Sequence, residues 1–574
     1  MRLKVSKSKN AASFYVTKSI YENKKEKTVI VEKLGTEQDI LKKSNGVDPY
    51  VWAKNYIAEL NKQEKENSRK IMLAFSQSEI IPKHIKKSYN GGYLFLQSIF
   101  YKLAINKICR DISNKYKFEY DLENILARLI YSRIIYPTSK LRTYELSKKF
   151  IEKPNFELHD LYRSLDVIAK EKDFIQSELY KNSIKYKPRN DKILYYDCTN
   201  FFFEIQEANG LKQYGKSKEN RPNPIVQMGL FLDGDGIPLA FNITPGNTNE
   251  QTTLRPLEKQ IISDFKHSKF VVCTDAGLSS TANRKFNNTN NRRFITTQSI
   301  KKLKGFLKEE AIDLTKGWKI SGSDKIYDIS SLREDEQLIE QYKDTIFYKQ
   351  RWINEDGLEQ RLIVTYSVKY QEYQKKIREN QVQRADKLIE NKRLTRTNAN
   401  DPKRFVTTLH TTDNGELAEK KNYYLNEEAI NQESIYDGLY AVCTNLEDDV
   451  EDIIKVNKGR WEIEETFRML KSEFKARPVY VSNEDRIIAH FTTCFLALTV
   501  FRYLEKELDE KYSINQIIKT LRDMNFYKTT YDGYIPIYER TDITDTLHEK
   551  FSFRTDYEII SEVNMKKIFK QTKK

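Results

Sequence analysis

Residues 192–297 contain a succession of short apolar runs whose order is compatible with few folds. The predicted strands are 192–197, 225–232, 238–243, 270–275 and 293–297. The Asp-Gly-Asp-Gly stretch at 233–236 is a hairpin signal. Asn249 can cap a helix that runs to about residue 263, ahead of the fourth strand. Three strands, a helix and further strand–helix alternation indicate an α/β fold.

Two of these strands, 192–197 and 270–275, are predicted to end in an aspartate. In α/β sheets, ligands and catalytic groups gather at the C-terminal ends of strands. A single aspartate at such a place is more often a turn former or a helix cap. Two of them in similar contexts make Asp197 and Asp275 candidate catalytic carboxylates.

A third carboxylate lies in the charged stretch 460–471. On a helix, Glu464 lies about 40° round from Arg460, and Lys471 lies about 20° round, so the three share one face on which the acid lies between the two cations along the helix. Apolar residues on the adjoining side would seat the helix on a core; they are Ile463, Phe467, Leu470 and Phe474. This pattern suits a metal ligand beside a phosphate backbone, and an amphipathic helix with a solvated charged face is the alternative.

With these residues the chain resembles the DDE transposases of bacterial insertion sequences. It is most similar to the group with a Tyr-x2-Arg-x3-Glu-x6-Lys signature, whose spacing Arg460, Glu464 and Lys471 match. Asn457 stands at the tyrosine position, which is a departure from the signature. The resemblance extends to segments 196–204, 217–222, 236–239, 245–247, 274–278 and 475–480.

The resemblance implies a ribonuclease-H-like catalytic core and a catalytic triad of Asp197, Asp275 and Glu464. Phosphodiester cleavage and transfer need an activated nucleophile, a stabilised leaving oxygen and neutralised phosphate charge, which two Mg²⁺ ions can provide. Mg²⁺ prefers a few carboxylate oxygens and keeps some water, so three acidic side chains suffice. We therefore predict the three acids as ligands of two Mg²⁺ ions, which Mn²⁺ can replace, with Asp197 bridging both.

Other residues are candidates for DNA binding. The set comprises two helix cations, a basic loop and two tryptophans: Arg460, Lys471, Lys216, Lys218, Arg221, Trp318 and Trp352. The cations would hold phosphate oxygens; for the two helix cations, ordinary surface ion pairs with Glu464 or Glu465 are the alternative. Related transposases stack a flipped base on aromatic residues of an inserted domain. A tryptophan is, however, usually part of a core.

The spacing of the motifs divides the chain into several regions. Far more residues separate Asp275 from Glu464 than a strand–helix connection needs, which favours an inserted domain. Within it, residues 369–404 carry eleven Lys/Arg against five Asp/Glu and would either bind phosphates or form a solvated helical hairpin. The predicted regions are a small N-terminal β/α region (1–85), a helical region for DNA binding or dimerisation (86–185), the catalytic core (186–300 and 436–510), a β-rich insertion domain (301–435) and a C-terminal helical tail (511–574).

Composition narrows the class of protein without deciding it. The net charge of +16 favours a polyanionic partner, although a Lys- and Asn-rich composition is also what an A+T-rich genome encodes. The five cysteines are scattered and form no CxxC pair, so neither structural zinc nor a disulfide scaffold is indicated. The apolar stretch 487–504 is interrupted by polar residues, which predicts a buried helix, not a membrane span.

These observations predict a cut-and-paste transposase that binds terminal inverted repeats as a homodimer on double-stranded DNA. It would cleave one strand at each transposon end and join the freed end to target DNA, in a bacterial cytoplasm in association with the nucleoid. One alternative is a ribonuclease-H-like nuclease without strand transfer. Another is a catalytically inactive DNA-binding repressor. Carboxylate-pair glycoside hydrolysis would explain neither the cations around Glu464 nor the basic balance.

Overall fold

The structure is a computed structural model that describes residues 1–574 except 9–10, 23–24, 45, 68–76, 79, 82, 391–400, 412–416 and 530–532. The chain divides into two compact units, Met1–Ile85 and Lys86–Lys574. Part of the predicted basic segment 369–404, namely 391–400, lies outside the described residues.

The first unit is a three-stranded antiparallel sheet followed by two helices. The elements are β1 (Arg2–Ser8), β2 (Ala11–Glu22), β3 (Lys25–Thr36), α1 (Glu37–Lys43) and α2 (Pro49–Asn67). Thr36 caps α1, because its side chain accepts the Asp39 N–H while the Asp39 carboxylate accepts the Thr36 N–H. Phe14, Val16 and Ile40 form part of the unit's own core.

The second unit begins with a short strand and a group of helices. They are β4 (Ser88–Asn90), α3 (Tyr93–Lys102), α4 (Ile105–Tyr116), α5 (Leu122–Ile135), α6 (Lys140–Ser147), α7 (Leu158–Lys170) and α8 (Lys172–Tyr186). The helical pattern predicted for this part of the chain is confirmed. Nearly all of α3 and α5 is buried, so these helices are central to the main core.

The elements of the stretch 193–297 follow in the predicted order. They are β5 (Ile193–Phe202), β6 (Ile225–Asp233), β7 (Pro238–Pro245), α9 (Leu254–Asp264), β8 (Phe270–Thr274), α10 (Thr281–Phe286) and β9 (Arg292–Thr297). In the sheet they lie in the order β7-β6-β5-β8-β9. The pairs β5–β6 and β6–β7 are antiparallel, whereas β5–β8 and β8–β9 are parallel.

The positions of the two aspartates differ in one respect from the sequence prediction. Asp275 directly follows β8, as predicted. Asp197 lies in the middle of β5 and not at its end, because β5 stays paired with β6 as far as Phe202. The parallel pairing of β5 with β8 covers only Ile193–Tyr195. Asp197 therefore lies just beyond the point at which the two parallel strands part.

The stretch predicted as an insertion extends the same sheet. Its elements are α11 (Phe306–Ile312), β10 (Lys319–Ile320), α12 (Glu336–Gln341), β11 (Ile346–Glu355), β12 (Leu358–Ser367), α13 (Val368–Glu390), β13 (Val406–Thr411), β14 (Leu417–Leu425), α14 (Glu427–Ser434) and β15 (Leu439–Thr444). β15 pairs with β9 and with β12, so β10, β11 and β12 complete a nine-stranded sheet. β13 and β14 form a separate two-stranded sheet.

The C-terminal part contains the helix of the signature. Its elements are α15 (Val450–Lys458), α16 (Trp461–Ser472), α17 (Glu484–Glu507), α18 (Ile514–Asp523), β16 (Asn525–Lys528), β17 (Tyr534–Pro536), α19 (Asp542–Phe551) and α20 (Glu562–Gln571). The predicted apolar stripe of α16 is buried, together with Phe474 just beyond the helix. The region predicted as a helical tail also contains β16 and β17, which form a small sheet with β4.

The helix α17 satisfies the length and composition expected of a membrane span, yet 94% of its apolar window is buried inside the protein. It packs against α3, α5 and α7 on one side and β7 on another. The prediction of a buried helix in this stretch is confirmed.

Candidate active site

Asp197 is held in place by its own strand. Its Oδ1 accepts the backbone N–H of Cys198 at 2.7 Å. Burial raises the pKa of Asp197 to about 6; the positive charge of Lys218 opposes this rise, and the negative charge of Asp275 adds to it. The electrostatic coupling indicates that β5 and β8 bring the two predicted aspartates into the same neighbourhood.

Asp275 begins the turn that leaves β8. Its Oδ1 accepts the N–H of Leu278 at 3.0 Å, and its carbonyl oxygen accepts a hydrogen bond from Thr296 Oγ1 at 3.3 Å. Thr296 belongs to β9, so the carboxylate is held by its own turn, and the backbone of Asp275 is held by the neighbouring strand. Such anchoring restricts the rotamers available to Asp275.

Glu464 lies on α16 and is 69% exposed, with Arg460 Nη2 4.0 Å from its Oε1. Arg460 is held more firmly than Glu464, because Nη1 of Arg460 donates to Thr297 Oγ1 at 2.7 Å. Asp275 and Glu464 line the same cavity of about 850 Å³, together with Arg460 and Trp461. The structure thus places one strand-end acid and the helix acid around a common space.

Asn457, the residue that departs from the signature, has a structural role beside this cavity. Its Nδ2 donates to Tyr440 Oη at 2.8 Å, and that hydroxyl lies 2.7 Å from Thr297 Oγ1. Thr297 in turn accepts from Arg460. Asn457 is therefore linked through Tyr440 and Thr297 to the arginine that faces Glu464.

The three acids fit a divalent cation in chemistry, although they do not yet form a closed ligand set. Carboxylate oxygens are the ligands that Mg²⁺ and Mn²⁺ prefer. Within the described part of the chain, no three His, Cys, Asp or Glu side chains are close enough together to hold a metal ion. Asp197 and Asp275 are close enough for the charge of one to affect the pKa of the other, whereas Glu464 is an exposed residue of the cavity that Asp275 also lines.

Two predicted DNA-binding lysines lie near Asp197. Lys218 Nζ is 3.2 Å from Glu250 Oε1 and also donates to the carbonyl oxygen of Cys198. Lys471 is only 15% exposed, with its Nζ 5.7 Å from the ring centroid of Phe201. Burial and the nearby charge of Lys218 lower the pKa of Lys471 to about 8, while Asp197 opposes that change. The loop that contains Lys218 and the helix α16, which contains Lys471, therefore meet near Asp197.

The other two cations of the predicted basic loop are more open to solvent. Arg221 stacks on Phe202, with its guanidinium carbon 4.1 Å from the ring centroid. Lys216 is exposed, and its carbonyl oxygen accepts from Asn200 Nδ2 at 3.1 Å. Both side chains are exposed to solvent, and Arg221 also lies 3.8 Å from Glu219 Oε2 through its Nε.

The structure corrects the prediction for Trp318. This side chain is completely buried, donates from Nε1 to the carbonyl oxygen of Asp313 at 3.0 Å and packs edge-on against Tyr366. It has no free face on which a base could stack, because the insertion needs it as part of its core. Trp352, on β11, is 45% exposed and has a face available.

Sequence reasoning missed the residues that support the site. Four of these residues belong to no recognisable motif, because each acts through a partner far away in the sequence. They are Thr297, Tyr440, Glu219 and Glu250. A weak signal existed for two of them. Glu219 lies inside the matched segment 217–222, and Thr297 is the last residue of a predicted strand.

A match to a family of known proteins identifies the class of protein. The family model described as "Transposase DDE domain" matches residues 201–500, more than half of the chain. The chain belongs to the DDE transposase family. The matched range contains Asp275 and Glu464 and begins just after Asp197. Its function class is therefore DNA transposition, and transposases of this family generally use divalent metal ions.

Solved transposase structures share a distant likeness with this transposase. The piggyBac transposase synaptic complex with hairpin DNA is 8% identical, with 82% of this chain and 87% of that chain covered and a TM-score of 0.35. The Mos1 transposase paired-end complex with left transposon end is 13% identical, covering 31% and 58%, with a TM-score of 0.14. The Mos1 mariner paired end complex with Mn is 14% identical, covering 33% and 66%, also with a TM-score of 0.14. No curated protein matches the chain.

Proposed function

We propose that this protein is the transposase of a bacterial insertion sequence that binds terminal inverted repeats and performs cut-and-paste transposition. The observation that carries the proposal is the convergence of β5, β8 and α16, because Asp197, Asp275 and Glu464 come from distant parts of the chain to one region. Arg460, Lys218 and Lys471 surround these acids with positive charge. A phosphodiester backbone is the substrate that such a combination suits.

We assign a ribonuclease-H-like topology to the catalytic core. The order β7-β6-β5-β8-β9, with two antiparallel pairs followed by two parallel pairs, supports this assignment. Residues 301–435 are then an insertion between β9 and β15 that widens the core sheet. The division of the remainder into regions 86–185, 186–300, 436–510 and 511–574 is part of the same proposal.

Asp197, Asp275 and Glu464 would hold Mg²⁺, or Mn²⁺ in its place, as two ions. Bound there, the metal would polarise the phosphate and lower the pKa of a bound water or hydroxyl. Arg460, oriented by Thr297, would present its guanidinium to a phosphate oxygen, and Lys471 would add a point charge. Glu464 must move inward to join the two aspartates, so substrate binding would complete the site.

The proposal extends to the remaining contacts and partners. Lys216, Lys218 and Arg221 would follow the DNA backbone near the first aspartate, and Trp352 offers an exposed ring for stacking. The substrate would be double-stranded DNA, both transposon ends and target, bound by a homodimer in the cytoplasm beside the nucleoid. Arg460, Glu464 and Lys471 would act as the Arg-Glu-Lys part of the signature, with Asn457 in the tyrosine position.

The test is an incubation of purified protein with linear DNA that carries the flanking ends of its gene, in Mg²⁺ or Mn²⁺. Wild type is compared with Glu464→Gln, which keeps the side-chain size and removes the charge. Glu465→Gln is the matched control, because Glu465 is the adjacent glutamate and pairs with Arg468, which lies outside the proposed site.

Site-specific nicking and joining by wild type and Glu465→Gln, with neither product from Glu464→Gln, is the expected result. Nicking without joining would favour a nuclease without strand transfer. Equal activity of all three proteins would remove Glu464 from the site. Specific DNA binding without cleavage by any of them would favour a repressor.

A further inference from the structure

One carboxylate, Glu219, lies among three cations at the edge of the proposed active site. Its Oε1 is 3.5 Å from Lys471 Nζ and also contacts Arg477 Nη1, and its Oε2 is 3.8 Å from Arg221 Nε. The Glu219 side chain is 23% exposed, so it is partly shielded from solvent. We use the name cation cluster for Lys471, Arg477 and Arg221.

The cation cluster has more positive charge than its carboxylate can neutralise. Among the described residues, the ion pairs of Lys471, Arg477 and Arg221 all go to Glu219. Burial lowers the pKa of Arg477 from its ordinary value, which shows that its surroundings disfavour the charge. A second anion would therefore be attracted to this place.

The shape of the cluster also suits a planar or tetrahedral oxyanion. Arg221 and Arg477 face the same aromatic ring, with guanidinium carbons 4.1 Å and 5.9 Å from the Phe202 centroid. Lys471 approaches the neighbouring ring of Phe201. Two guanidinium groups and an ammonium thus converge from three points of the chain, an arrangement that favours phosphate over a single carboxylate.

Glu219 can leave the cluster without a large rearrangement of the fold. It sits on a short turn in which Ser217 Oγ accepts the N–H groups of Glu219 and Arg221 at 3.2 Å each. These hydrogen bonds do not involve the Glu219 side chain, so its rotation alone would release the cations. Lys218, next to Glu219, contacts the carbonyl oxygen of Cys198, which places the turn beside Asp197.

We propose that Glu219 occupies, in the DNA-free protein, a phosphate subsite formed by Lys471, Arg477 and Arg221, and that a backbone phosphate of the DNA displaces it. This proposal rests on the proposed function, because it names how that substrate enters the same site. Glu219 keeps the cluster assembled and lowers its affinity for anions until a phosphate arrives. It is a positioning residue that acts through the three cations.

The test measures binding of a fluorescently labelled DNA duplex by anisotropy, in EDTA so that no cleavage takes place. Glu219→Gln should bind about tenfold more tightly than wild type at low salt, because phosphate no longer competes with an internal carboxylate. The slope of log affinity against log salt should become steeper by about one, since the displaced carboxylate no longer takes up a cation.

The matched control is Glu207→Gln, an exposed glutamate of the same β5–β6 connection for which no ion pair is found in the described part of the chain. It removes the same charge without touching the cluster and should change the affinity less than twofold. Arg477→Gln should weaken binding in the wild type and cancel most of the gain when it is combined with Glu219→Gln. This coupling separates release of the cluster from a general change in net charge.

Glu219 would instead be an ordinary structural ion-pair partner if Glu219→Gln bound DNA no more tightly than Glu207→Gln. Glu219→Asp keeps the charge on a shorter side chain, and it is the second variant to test if Glu219→Gln proves unstable. It should also bind more tightly than wild type, and unchanged affinity in this folded variant would overturn the proposal. If the variants bound DNA more tightly but no protein cleaved it in Mg²⁺, the result would support the phosphate subsite and contradict the proposed transposase chemistry.

Discussion

The two sides of the proposed active site differ in how firmly they are held. On the sheet side, Asp197 and Asp275 each accept a hydrogen bond from a nearby backbone N–H, at 2.7 and 3.0 Å, and both are partly buried. On the helix side, Glu464 is exposed and has only a distant ion pair with Arg460. The sheet thus supplies acids that are already oriented, whereas the helix supplies one that is still free to move.

This difference indicates where the site gains its final geometry. In the proposed site, the strands would define the position of the metal and of the scissile phosphate, because rotation of their acids is restricted. The side chain of Glu464 can then adapt to a substrate that has already bound. Four predictions, from the largest expected effect to the smallest, test this contrast.

The first prediction is that both sides are equally necessary for the chemistry. Asp275→Asn and Glu464→Gln should each reduce strand cleavage by about 10³-fold or more, because either change removes a metal-binding charge. The measurement is single-turnover cleavage of end DNA in Mg²⁺. Substantial cleavage by Glu464→Gln alone would show that the helix acid is an accessory group.

The second prediction separates the two sides before DNA arrives. Titration of the DNA-free protein with Mn²⁺ should give about tenfold weaker binding for Asp275→Asn, since the oriented acids make the initial site. Glu464→Gln should stay within about twofold of wild type under the same conditions. Equal losses in both variants would mean that the helix acid is already a ligand in the free protein.

The third prediction concerns the pH dependence of stability. The pKa of Asp197 is raised from 3.8 to about 6 by burial, so between these values the folded protein binds more protons than the unfolded chain. The contribution of Asp197 to the free energy of unfolding should therefore fall as pH rises from about 4 to about 6. Asp197→Asn lacks this loss. Relative to wild type it should be about 3 kcal/mol more stable at pH 7 and equally stable near pH 3.5.

Chemical denaturation in EDTA at several pH values measures this effect. Asp275→Asn, with a turn-forming carboxylate on the same edge of the sheet, serves as the comparison variant. If Asp197→Asn were less stable than wild type at neutral pH, the Asp197 carboxylate of wild type would be stabilised by contacts that outweigh the cost of its burial.

The fourth and smallest effect concerns the support of the helix side. Thr297→Val removes the acceptor that holds Arg460 and keeps the shape of the side chain. Cleavage should fall about threefold to tenfold, because one hydrogen bond of roughly 1 kcal/mol no longer orients the guanidinium. Thr296→Val on the same strand loses a hydrogen bond to the carbonyl oxygen of Asp275 and shows what a sheet-side contact contributes.

The core of the fold could be predicted from the sequence because its strands are short, apolar and separated by strong turn signals. The order of β5 to β9 and the place of Asp275 followed from local patterns alone. The position of Asp197 within β5 did not, because the length of a strand depends on how far its partner continues. Trp318 was misjudged for a related reason: composition gives no sign of which tryptophan a small core will enclose.

Contacts between distant segments were the part that the sequence could not supply. Thr297, Tyr440 and Arg460 come from β9, β15 and the start of α16, and no spacing rule connects them. The same holds for Glu219 and the cation cluster, whose members come from two separate loops and a helix. Periodicity predicts which face of an element is buried, whereas pairing across elements depends on the tertiary structure.

The continuity of the nine-stranded sheet has a consequence for the proposed contacts with DNA. Asp275 follows β8, and β11 with Trp352 lies four strands away, across β9, β15 and β12. At a spacing of about 4.8 Å per strand, this separation is about 19 Å. Backbone hydrogen bonds fix that distance, and it corresponds to roughly five to six base pairs of duplex. A duplex laid along the sheet would therefore meet the insertion at a constant number of base pairs from the point of cleavage.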